Sequence, residues 1–229
     1  MRTLRHTIVS VVAFLWLAAM PLFAGNTNVT FIAGTGNTFG NNNFSIGPYT
    51  LTVGGQQVLM VCDDFQDEVS AGENWIANTS TVTGAMLGQY FNGSVFNPHA
   101  TNPVFPSGFN EYEAVAWLSQ QMMANLNNNY TLGAIQWAIW SLTDPGLSLS
   151  ANGITGADAL AVQNEIALAL ANYSSGNYSG MLIFTPTGNG SNGLPPQEFL
   201  LFTPEPATLG LLGTGLLAIA LGLRKKLVT

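Results

Sequence analysis

All five basic side chains of this 229-residue chain lie at its ends, Arg2 and Arg5 at the start and Arg224, Lys225 and Lys226 at the finish. Residues 25–203 contain no lysine or arginine, yet they carry all but one of the 12 acidic residues, the exception being Glu205. The middle of the chain is therefore a polyanion without a side-chain amine. With 47% of the sequence hydrophobic and 7% charged, the composition argues against intrinsic disorder. The length suits one domain flanked by processing segments. A net charge of −7 excludes a nucleic-acid partner bound through basic patches. Cys62 is the single cysteine, which excludes an intramolecular disulfide framework and a multi-cysteine zinc site.

The ends read as addresses. Residues 1–24 have the layout of a secretory signal peptide: Arg2, Arg5 and His6, then an apolar run over 8–20, then a small residue, Ala24, at the expected cleavage point. Export by the Sec machinery follows from that layout. At the other end come Pro204-Glu205-Pro206, an apolar stretch over 207–223 and the basic cluster Arg224-Lys225-Lys226. The stretch is near the lower edge of the ~20 residues that a membrane helix needs. Its basic flank should stay in the cytoplasm, leaving 25–203 outside.

Those three parts, in that order over 204–229, resemble the PEP-CTERM sorting signal. The resemblance implies that exosortase, a membrane cysteine protease of Gram-negative bacteria that make exopolysaccharide, is a partner. It also implies anchorage in the inner membrane through the C-terminal transmembrane helix. Processing near Pro204-Glu205-Pro206 would then carry the body to the cell surface or extracellular matrix. A plain C-terminal anchor is the alternative.

The body, 25–203, reads as a single α+β domain of antiparallel strands with an inserted group of about three helices. Residues 25–48, rich in Gly, Asn and Thr, suggest loops and short strands. Strand patterns over 49–53 and 57–62, joined by Gly54-Gly55, predict a hairpin. Val58 to Cys62 is apolar on both faces and should be buried on both. A further strand is expected over 75–82, then a long loop over 92–110 with Pro98, Pro103 and Pro106. Tyr112, Val115, Leu118 and Met122 recur at helical spacing within 111–126. A second helix is expected over 131–142, stopped by Asp144-Pro145-Gly146. A third is expected over 158–171, with Thr155 and Asp158 as a capping box. Strands over 181–185 and 198–202 close the domain.

Two residues carry the candidate chemistry. Cys62 ends an apolar strand in Val61-Cys62-Asp63-Asp64. Gln136 lies in Ile135-Gln136-Trp137-Ala138-Ile139-Trp140, beside an apolar stripe of Ile135, Ala138, Ile139 and Leu142. Gln136 and Trp140 are four residues apart and share a helix face. A glutamine among apolar neighbours costs desolvation energy unless its amide is satisfied.

These segments, within about 57–143, resemble the thioester domain of bacterial surface adhesins, in which a cysteine joins a glutamine of a Thr-Gln-x-Ala-(Ile/Val)-Trp motif. The chain departs from that pattern at Val61, where an aromatic residue or Leu is usual, and at Ile135, in place of Thr. The resemblance implies a Cys62–Gln136 thioester, shielded from water by Trp137 and Trp140, that captures an amine-bearing surface or matrix ligand. A lysine-free body then has a reason: it offers the acyl group no internal side-chain amine. The alternative is a non-covalent structural protein of an exopolysaccharide or biofilm matrix, with Cys62 an inert buried thiol and Gln136 bonded to a neighbouring strand.

No enzyme activity is expected. His99 is the one histidine outside the N-terminal segment and falls in the Pro-rich loop. Asp63 and Asp64 beside Cys62 oppose thiolate formation. Asp63, Asp64, Asp67 and Glu68 lack EF-hand spacing and read as a solvated acidic turn, with a Ca²⁺-binding module as a third reading. No cofactor or metal is expected.

Overall fold

The computed structural model describes residues 25–82, 108–144 and 146–202, and for 108–110 the backbone alone. The expected signal peptide, the 204–229 sorting segment and the loop carrying His99 fall outside the described residues. What is described belongs to one unit, Ala24–Thr203.

Six strands form a closed antiparallel barrel: β1 (Gly25–Ala33), β2 (Tyr49–Val53), β3 (Gln56–Cys62), β4 (Asn74–Thr81), β5 (Met181–Pro186) and β6 (Phe199–Phe202). Their order around the barrel is β1-β2-β3-β6-β5-β4. Three helices, α1 (Gly108–Ala124), α2 (Asn129–Thr143) and α3 (Gly156–Asn172), are inserted between β4 and β5. The expected α+β architecture is what the structure has, and closure of the barrel gives each described strand a neighbour on both sides.

Period-2 alternation fills the barrel. Tyr49, Leu51 and Val53 of β2, Val29 and Phe31 of β1, and Trp75 and Ala77 of β4 are buried in turn with less buried neighbours. Phe199 of the short β6 completes the interior. Its ring stacks on Trp75 at 6.1 Å and meets Tyr49 edge-on at 5.9 Å. The Gly54-Gly55 turn of the β2–β3 hairpin has φ of 55° and 84°, the left-handed pair that a two-residue hairpin requires.

A second core lies outside the barrel wall. Val61, Ile183 and Leu200 face the helices and join Val115, Leu118, Ile135, Ala138 and Ile139 there. The central wall β3–β6–β5 is therefore covered on both faces, but only in part. Met60, Val61 and Cys62 are buried, whereas Leu59 is 39% exposed and Gln56 and Gln57 are open. The expectation that 58–62 is buried on both sides fails for its first half, because β6 pairs with β3 only at Val61 and Cys62.

Helix α2 is a core helix rather than one with a single apolar stripe. Every residue from Leu132 to Trp140 is buried, with α1 and α3 packed against it. It starts where the Asn128 side chain accepts the Thr131 N–H at 3.2 Å, an N-cap of the usual kind. The capping box expected for α3 is absent: Thr155 is its N-cap in extended backbone but makes no side-chain bond. Residues 25–33, expected as loop and short strand, form a nine-residue strand. Only Val29 and Phe31 of that strand point inward, too few apolar positions to reveal it.

Gly133 in α2 faces Phe39 of the β1–β2 connection. A Cβ at this position would lie 2.3 Å from Phe39 Cδ2 and 2.5 Å from Phe39 Cβ. Alanine in a helix interior ordinarily gains about 1 kcal/mol over glycine; here the clash reverses the sign. Gly133→Ala should lower stability by about 1–3 kcal/mol, read from the urea midpoint. A raised midpoint would mean that Phe39 moves aside freely.

Candidate functional site

Cys62 is the last residue of β3 and pairs with Phe199, so its side chain shares a face with Phe199 and Tyr49. Gln136 is in the second turn of α2. Both are 0% exposed. The structure brings them together. Gln136 Nε2 donates to the backbone carbonyl of Cys62 at 2.7 Å, and Gln136 Oε1 accepts the Gly47 N–H at 3.2 Å. The two backbone partners come from different segments, the end of β3 and the 34–48 connection. Together they meet the desolvation cost of an amide on a core helix.

The Cys62 thiol is free. It donates to the Asp64 carbonyl at 3.1 Å and accepts the Asp64 N–H at 3.4 Å. Burial pushes its pKa well up, and the carboxyls of Asp64 and Asp63 push it further; the Asp64 backbone and the Trp140 side chain act the other way. The resting form is the neutral thiol.

Trp137 and Trp140, expected to shield this pair, are buried in one aromatic cluster with Phe44 and Phe65. Trp140 meets Trp137 edge-on at 5.3 Å and Phe65 at 5.2 Å; Phe44 meets Trp137 at 5.9 Å. Phe44 is 38% exposed and forms the outer layer.

Asp63 and Asp64 are not a solvated turn. Asp63 is 0% and Asp64 2% exposed; Thr143 at the end of α2 donates to the Asp63 carbonyl and Gln197, before β6, to the Asp64 carbonyl. Asp64 Oδ1 accepts the N–H groups of Gln66 at 3.0 Å and Asp67 at 3.2 Å. Asp63 faces Glu198. Neither of its carboxyl oxygens meets a donor among the described residues, whereas Glu198 Oε1 accepts the Tyr112 hydroxyl at 2.5 Å and its Oε2 accepts Thr185. Burial first, then the Glu198 charge, raises the Asp63 pKa. Burial raises Glu198 as well, against the pull of its Thr185 and Tyr112 donors. Both buried carboxyls are thus shifted toward the neutral form. Among the described residues no three His, Cys, Asp or Glu side chains are grouped to hold a metal ion.

Sequence reasoning singled out Cys62, Gln136, Trp137 and Trp140 but not Gly47, Thr185 or Glu198, and Tyr112 only as a helix position. The Gly-Pro pair at 47–48, directly before a strand, was a turn signal; nothing in it pointed to a glutamine 89 positions away.

Comparison with known proteins adds two findings. A family model of the PEP-CTERM protein-sorting motif matches residues 202–226, starting two residues before the expected segment and ending at Lys226. The tail is thus the signal of exported proteins that exosortase processes. The chain is also similar in structure to the N-terminal thioester domain of protein F2 like fibronectin-binding protein from Streptococcus pneumoniae. The two share 10% identity at a TM-score of 0.43, over 77% of this chain and 92% of that one. No curated protein matches the sequence.

Burial raises the Asp64 pKa from 3.8 to about 7, with the Asp67 charge adding to it. A carboxyl whose pKa is higher folded than unfolded stabilises fully below its unfolded pKa, and that stability is lost as pH rises through the folded value. Stability, read from the melting temperature, should therefore fall between pH 4 and 7, at up to about 1.4 kcal/mol per pH unit for one proton. Asp64→Asn, which keeps the Oδ1 acceptor, should flatten the slope. A wild-type melting temperature constant over this range would refute the raised value.

Proposed function

We propose that the body of this exported protein is a covalent adhesion domain, built around an internal thioester between Cys62 and Gln136. The observation that carries the reading is the docking of the Gln136 carboxamide on the backbone of Cys62, both residues at zero exposure.

The chemistry is a two-step acyl transfer. Cys62 Sγ attacks Gln136 Cδ, a C–S bond forms, the C–N bond breaks, and Nε2 departs as ammonia with the thiol proton. Later an amine on a partner attacks Cδ, the C–S bond breaks, and a proton returns to sulfur. Holding both groups in one dry site replaces a bimolecular encounter with an intramolecular one, and Trp137 and Trp140 keep water from the acyl carbon. The partner remains attached to Gln136, so each molecule acts once and is not an enzyme. A body without lysine or arginine holds the acyl group for an outside amine. Sec export, passage through the inner membrane and release to the surface or matrix complete the route.

A non-covalent matrix protein is the second reading. It is favoured by one observation: the Gln136 amide already has two good backbone partners, so a structural role is self-sufficient. Intact mass separates the two. The exported protein should be lighter than its sequence by one ammonia. Cys62→Ala and Gln136→Ala should each abolish that deficit. Methylamine should add its own mass to the wild type and release a free thiol. A wild-type mass equal to the sequence mass, in material never exposed to amines, would leave the matrix reading.

A further inference from the structure

Acyl transfer at Gln136 places negative charge on Oε1 in both steps, as the carbonyl carbon becomes tetrahedral. In a dry site that charge needs a donor already in place. Gly47 N–H, at 3.2 Å from Oε1, is the donor the structure provides.

The donor is fixed by its neighbours. Ile46 N–H donates to Asn37 O at 3.0 Å, and Ile46 O accepts Thr35 Oγ1 at 2.8 Å. On the other side, Tyr49 is held in the β2–β3 ladder opposite Met60, and its hydroxyl donates to Ser45 O at 2.6 Å. Residues 45, 46 and 49 thus pin the backbone around Gly47 without using its N–H. The position also demands glycine. A Cβ there would lie 2.7 Å from Gln136 Oε1 and 3.1 Å from Tyr49 Cε2, so any side chain pushes the reacting carbonyl off the donor. The opposite end of the carboxamide is matched in polarity: Nε2, the leaving nitrogen, faces the Cys62 carbonyl, an acceptor.

We propose that Gly47 is a catalytic residue whose backbone N–H is the oxyanion donor for both formation and aminolysis of the Cys62–Gln136 thioester. The assignment rests on the thioester reading. In formation, the C–S bond closes, the electron pair of the C=O bond moves onto Oε1 under the Gly47 N–H, then returns as ammonia leaves. In aminolysis the same donor takes the charge while the amine adds and sulfur departs.

The test uses the full exported protein and three variants: Gly47→Ala, which displaces Oε1, Thr35→Val, which loosens the segment but touches no reacting atom, and Gln136→Ala. Gly47→Ala should slow methylamine-driven thiol release roughly a hundredfold, the effect of losing one oxyanion donor, and lower the fraction of chains lacking one ammonia. Thr35→Val should show a smaller slowing in the same direction with the fold retained. In wild type carrying ¹³C-carbonyl glutamine, the thioester carbonyl stretch, identified by its absence in Gln136→Ala, should lie below that of an unbonded thioester in apolar solvent. That band decides the matter should Gly47→Ala fail to fold. A wild type that carries the mass deficit but has an unshifted carbonyl overturns the assignment of Gly47 alone. So does a folded Gly47→Ala that reacts at the wild-type rate. A wild type with no deficit overturns the thioester reading and this assignment with it.

Discussion

A carboxamide inside an apolar helix must find partners or the helix cannot stay buried, and this requirement organises the body. An unsatisfied amide in such a place costs about 2–7 kcal/mol. Gln136 avoids that cost by bonding backbone groups from two separate stretches, Gly47 before β2 and Cys62 at the end of β3. It therefore ties the helical insertion to the barrel with bonds that are specific in direction, where the surrounding contacts of Val61, Leu200 and Ile139 are not. The 34–48 connection is held in place by the same requirement: Phe39 lies against Gly133, Phe44 covers Trp137, and Gly47 meets the amide.

The lack of lysine and arginine in the body imposes a second constraint. A buried carboxylate usually recruits a cation; no lysine or arginine exists in residues 25–203. Burial shifts Asp63 and Glu198 toward the neutral form instead, and Glu198 accepts the hydroxyls of Tyr112 and Thr185. This arrangement joins the end of β3, the chain entering β6, α1 and β5. It also explains why the local charge opposes a thiolate at Cys62: among the described residues the carboxyls there have no lysine or arginine beside them. Burial and those carboxyls together keep the Cys62 thiol in its neutral form.

Much of this was legible in the sequence. The hairpin 49–62 announced itself through two strand-like runs around Gly54-Gly55, the first two helices through apolar residues at helical spacing and the third through its N-terminal residues, with ends displaced by up to three residues. Cys62 and Gln136 stood out because each is chemically out of place in an apolar segment. What escaped was set by tertiary contact. Strand β1 carries only two inward apolar residues, so its pattern was too thin to see. Asp63 and Asp64 looked like a wet turn because sequence alone does not show that Thr143 of α2 and Gln197 before β6 hold their carbonyls. Gly47 and Glu198 act through partners remote in the chain, and closure of the barrel depends on a four-residue strand, β6.

The strand order also has a mechanical side. A partner fixed to Gln136 and an anchor beyond residue 202 would be linked only through 136–202. Tension between those two points would run down the remainder of α2, through α3 and into β5 and β6, while β1 to β4 lie outside the loaded path. Yet β6 is gripped on one side by β3 and on the other by β5, which is in turn backed by β4. The unloaded strands would thus serve as a brace, and pulling on the tail would strain the β3–β6 junction at Cys62 and Phe199 first.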